Sequence, residues 1–170
     1  SYEEDKELWR KLYKMFIFDN EELDTLLEEQ SLYWNDDKSI VDTFVVKTIK
    51  RFEEENGASQ QLLPEYKDVA DMEFARKLFR AAITNAEEYR ALMSGSSKNW
   101  DMQRLAFMDV VIMQTALAEI LTFEDIPLSV TLNEYVEIAK YYSTAKSGSF
   151  VNGLLDSITK KLRQEGKINK

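Results

Sequence analysis

Neither cysteine nor histidine occurs among the 170 residues. The first absence rules out disulfides and thiolate zinc ligands and suits a reducing cytoplasm. Together they remove the commonest general base, the thiolate nucleophile and most transition-metal ligands, so a binding protein without cofactor is expected and not an enzyme. Glycine and proline are also scarce, at 5 and 2, and no glycines fall in a phosphate-cradling GxxxxGK or GxGxxG loop. No apolar run is long enough to span a membrane, since the richest, MDVVIMQTALAEILTF, contains Asp109 and Glu119. Nor does a basic-then-apolar leader open the chain. Ser1 is not an initiating methionine, which suggests upstream sequence, whereas the charged GKINK ending suggests natural termination.

What is present favours helices. The stretches between the few breakers are rich in Leu, Glu, Lys, Ala and Met, which lose little on entering a helix. Apolar residues at three- and four-residue spacing mark about Glu3 to Phe18, then a helix capped by Asp19-Asn20, then a third after the Asn35-Asp36-Asp37 break, carrying Ile40, Val41, Phe44, Val45, Ile49 and Phe52. Residues 55–67 read as a loop. A helix from Asp68 or Asp71 through Leu92 ends in SGSSKN, and a long one follows from about Asp101 to Leu121. Asp125-Ile126-Pro127 restarts the chain, with Asp as cap and Pro near the first helical position. The loop STAKSGS leads into a last helix carrying Phe150, Val151, Leu154, Leu155, Ile158 and Leu162. The expectation is an all-α, single-domain bundle of about seven helices, with 1–67 an N-terminal helical extension packed on a bundle formed by 68–170.

Charge is unevenly spread. Lys and Arg number 8 against 16 Asp and Glu in residues 1–60, but 5 against 1 in 157–170, within a total of −9. The acidic total disfavours non-specific clamping of nucleic acid without excluding a local basic site. Asp109 and Glu119 fall on or beside the apolar stripe of the long helix, where an unpaired charge is costly. Two roles are open for Asp109: a satisfied internal acceptor, or an edge carboxylate facing a basic protein partner. Gly153 interrupts a helical pattern, which predicts close approach of another helix, with Asn152 a polar contact at that crossing. The Ser143 to Ser149 loop joins Lys146 and several hydroxyls to Phe150 at a helix start. That combination suits a phosphate and a stacked base, and equally a plain cap and turn.

NWDMQRLAFMDVVIMQTALAEIL, the DIP turn, VTLNEYVEIAKYYS and SGSFVNGLLDSI occur in that order. This series resembles the C-terminal part of the NusB family of bacterial transcription antitermination factors. EEQSLYWNDD and KTIKRF resemble the extended N-terminal parts of longer NusB-like proteins of Bacteroidetes. The resemblance implies a helical bundle that binds boxA RNA jointly with NusE, a small-subunit ribosomal protein, in the transcription elongation complex of ribosomal RNA operons. It places Asp109 on the NusE side, and Lys146, Ser147, Ser149 and Phe150 on the RNA side. Gln114, where many relatives carry Arg, joins the RNA set. The family's arginine-rich first helix is not visible, and Lys146 replaces an acidic residue found in some members. Two other readings are a protein-binding bundle without RNA affinity and the NusB-like domain of an rRNA cytosine methyltransferase.

Overall fold

Ser1 caps the first helix of the computed structural model, which describes residues 1–96 and 105–170. Its hydroxyl accepts from the Glu4 amide while the Glu4 carboxylate reaches back, a capping box that starts α1 (Tyr2–Phe16). Asn20 caps α2 (Glu21–Gln30) by accepting from the Leu23 amide at 3.0 Å. The Asn35–Asp37 segment is not a break. It forms the first turn of α3 (Trp34–Lys50), where two aspartates suit the positive end of the helix dipole. A short 3-10 helix, Glu54–Ser59, kinks at Gly57, whose φ of +46° requires glycine's freedom.

Chain contacts divide the molecule into two units, Ser1–Lys67 and Asp68–Lys170. In the first, α1 and α2 pack on α3, yet none of its apolar side chains is fully buried. Its buried groups are instead Lys38, Asp42 and Thr48. The Lys38 ammonium lies 2.8 Å from Asp24 and 2.7 Å from Asp42, and the Tyr13 hydroxyl donates to Asp42 at 2.7 Å, so one polar knot ties the three helices together. Burial opposes the charge on Lys38, but its hydrogen bonds to Asp24 and Asp42 outweigh that and raise its pKa. Burial, then the bond to Asp42, pushes the Tyr13 phenol up to about 12.

In the second unit Asp68 caps α4 (Val69–Thr84), accepting from the Asp71 amide at 3.0 Å. The single helix expected through Leu92 is two, because the chain turns at Asn85 and resumes as α5 (Ala86–Ser96), which carries Ser94 and Gly95 inside it. The following helix, α6, runs Phe107–Thr122, and its expected start at Asp101 lies outside the described residues. Pro127, not Asp125, occupies the cap position of α7 (Leu128–Tyr142). The last helix, α8, spans Ser147–Gln164, so Ser147 to Ser149 are helical and not loop.

α6 is the centre of this unit, packed against α4, α5, α7 and α8. A helix that is apolar on nearly all sides belongs inside, and Met113, Ala116, Leu117 and Ala118 are wholly buried there beside Met93, Val151, Leu155 and Ile158. Glu119 is satisfied: it accepts from the Tyr135 hydroxyl at 3.1 Å, and burial together with that carboxylate pushes the Tyr135 phenol upward. Gly153 corrects an expectation. A Cβ there would meet nothing within 4 Å, and Asn152 is exposed, so neither sits at a helix crossing. Val151, Leu154, Leu155, Ile158 and Leu162 make the packing of this helix instead. No helix among the described residues is long and apolar enough to cross a membrane.

Candidate binding surface at the turn between α7 and α8

The turn between α7 and α8 is set by hydroxyls. Ser143 follows α7 with extended backbone, and its hydroxyl donates to Asp109 Oδ1 of α6 at 2.6 Å. Ser147 Oγ donates to Ser143 Oγ at 3.0 Å, accepts from the Thr144 amide at 3.1 Å, and lies 2.8 Å from the Thr144 hydroxyl. An ionised carboxylate only accepts, so the hydrogens run in one sense, from Thr144 to Ser147 to Ser143 to Asp109. Asp109 is 6% exposed and Ser147 1% exposed. Of the two roles open for Asp109, the structure displays the internal acceptor: its carboxylate pins the turn to the first turn of α6.

Around this chain of bonds is a cleft of about 510 Å³ lined by Asp109, Lys146, Ser147, Ser149 and Phe150, together with Leu105, Ala106 and Thr144. Five of the six residues singled out from the sequence therefore meet in one place. Lys146 and Ser149 are exposed, and Lys146 has no ion pair among the described residues. Phe150 is half-buried, one side packed on the core. Ser147 contributes shape more than contact, since its hydroxyl is spent within the turn.

Gln114 is the sixth, and it lies elsewhere. Its amide donates to the Ala82 carbonyl at 2.9 Å and accepts from Arg90 Nε at 3.3 Å, bracing α6 against α4 and α5. Sequence reasoning missed Ser143, whose bond to Asp109 joins residues 34 apart. The run of hydroxyls in STAKSGS was the only trace of it. Chemically the cleft offers an ammonium, hydroxyl donors and an aromatic edge. Those groups suit an anionic or aromatic ligand, and no group of three or more metal-ligating side chains occurs among the described residues.

Residues 39–160 match the model of the NusB family. The chain is 36% identical over 132 residues to the transcription antitermination protein NusB of Salinibacter ruber, covering 74% of this chain and 82% of that protein. It is 34% identical over 122 residues to the NusB of Chloroherpeton thalassium, covering 71% of this chain and 58% of the relative. A solved structure of T. maritima NusB shares 37% identity and a TM-score of 0.53, over 65% of this chain and 78% of that one. With the family match spanning most of its length, and an all-helical fold shared with that structure, the chain belongs to the NusB family.

Proposed function

We propose that this chain is a non-catalytic transcription antitermination factor, as its relatives are named, and that the cleft at the α7–α8 turn receives boxA RNA and NusE as one composite surface. The observation that carries this reading is the convergence of Asp109, Lys146, Ser149 and Phe150 on a single cleft. Lys146 neutralises a phosphate and Phe150 presents an edge to a base or an apolar side chain. Asp109 serves twice: it fixes the turn through Ser143, and it gives the cleft lining the negative charge that a basic ribosomal protein would seek. Gln114 does not line this cleft, and both ends of its amide are bonded to α4 and α5.

The test is a titration of labelled boxA RNA with and without NusE. Wild type binds, more tightly with NusE, and Lys146→Ala lowers the slope of log K against log salt by about 0.7, the value for one phosphate contact on a single strand. Absence of RNA binding under both conditions would sink the proposal. The net charge of −9 favours one competing reading, a bundle that binds NusE alone. NusE binding with no enhancement by RNA selects it.

A further inference from the structure

We infer that a second groove, between α5 and α8, carries the RNA strand onward from Phe150, and that Gly153 keeps this groove open. The inference rests on the RNA reading above and extends the surface beyond the α7–α8 turn. The groove encloses about 660 Å³ and shares Ser149 and Phe150 with the cleft, so the two are continuous. From Phe150 it follows α8 to Lys160 and Lys161, about 17 Å away at the rise of an α-helix.

Gly153 is the first reason to assign a ligand. Glycine is a poor helix former, and it stands here in the interior of α8. Packing does not demand it, since a Cβ would meet nothing within 4 Å and φ is not positive. Its backbone lines the groove, so any side chain at this position would fill space the glycine leaves free.

Charge is the second, independent reason. The chain has 31 acidic residues in 170, yet the groove's lining among the described residues has two lysines and no carboxylate. Lys160 is held by Asp156 at 2.6 Å. Lys161 has no ion pair among the described residues, and its ammonium reaches over the last turn of α5, 3.7 Å from where a Cβ on Gly95 would sit. Ser149 and Ser157 add hydroxyl donors. Cations and hydroxyls along an open track, with an aromatic at its head and no carboxylate among the described lining residues, match the backbone of a single strand.

The experiment uses the full chain, NusE and boxA RNA, and compares Gly153→Leu, Lys161→Ala and Asn152→Leu. Asn152 is the exposed neighbour of Gly153 outside the groove, so its variant places the same leucine on this turn of α8 without blocking the track. Melting curves confirm that each variant folds. Gly153→Leu is expected to weaken RNA binding about tenfold, the scale of one nucleotide's contacts, while Asn152→Leu binds as wild type does. Lys161→Ala is expected to lower the salt slope by about 0.7. RNA binding by Gly153→Leu at wild-type strength, with Lys146→Ala still impaired, overturns the groove and leaves the RNA reading standing. Loss of NusE binding with RNA binding retained also overturns it, assigning the groove to protein. Failure of wild type to bind RNA overturns both.

Discussion

Replacing Asp109 by alanine tests how the cleft is built. The carboxylate is 6% exposed and accepts the Ser143 hydroxyl at 2.6 Å, and Ser143 in turn accepts from Ser147. A hydrogen bond to a charged group contributes about 1.5–3 kcal/mol, and its loss leaves a half-buried hydroxyl without its acceptor. Removing the buried charge returns part of that, so the net cost is about 2 kcal/mol. In a chain of this length 1 kcal/mol lowers the melting temperature by about 2–4 °C, so Asp109→Ala should melt about 4–8 °C early by far-ultraviolet circular dichroism. Asp109→Asn keeps an acceptor and loses the charge, and neutral hydrogen bonds are about half as strong, so its cost should be about 1 kcal/mol. Ser143→Ala should be non-additive with either substitution, because the two side chains share one bond. Wild-type melting of Asp109→Ala, or strict additivity with Ser143→Ala, would refute this account of the turn.

Other expectations follow from the same structure. Lys38→Met leaves Asp42 and Asp24 without their cation in a unit that has no fully buried apolar side chain, and should cost about 3–5 kcal/mol, read as loss of amide-exchange protection across α1 to α3. Tyr13 should titrate near 12 by ultraviolet absorbance. Because that pKa is raised on folding above the ordinary value of about 10, the stability it supplies is complete below pH about 10 and is lost as pH rises from there towards 12. The raised pKa of Lys38 acts on the same alkaline side, and Tyr13→Phe should abolish the tyrosine's share of the loss. Gly153→Ala should raise the melting temperature by about 2–4 °C, since alanine exceeds glycine in helix propensity by about 1 kcal/mol and the added methyl meets nothing within 4 Å.

Periodicity disclosed the bundle because burial writes it into the chain. The near-continuous apolar run of α6 is legible as a central helix, since a helix packed on four others can spare few positions for polar residues. The turn at Asn85 was not legible: no glycine or proline marks it, and the apolar stripe continues across it from Ala82 to Tyr89. Gly95 misled in the opposite sense, suggesting a loop where α5 continues. In the first unit the stripe of α3 was visible, but its interior is held by Lys38 and Asp42, which periodicity reads as surface. The cleft was legible in its parts and not in its assembly. Lys146, Ser149 and Phe150 announce themselves within a short run of sequence, whereas the bond from Ser143 to Asp109 depends on how α6 and α7 pack. Gln114 shows the converse, a polar side chain on a helix face whose bonds to Ala82 and Arg90 depend on how α4 and α5 pack on α6.

The most direct test of the cleft as the shared binding surface is hydrogen–deuterium exchange of the chain alone, with NusE, and with NusE and boxA RNA together. New protection is expected over Ser143 to Phe150 and the first turn of α6, greatest in the ternary complex and reduced in Lys146→Ala. Protection confined to other helices, with these segments exchanging as in the free chain, would contradict it.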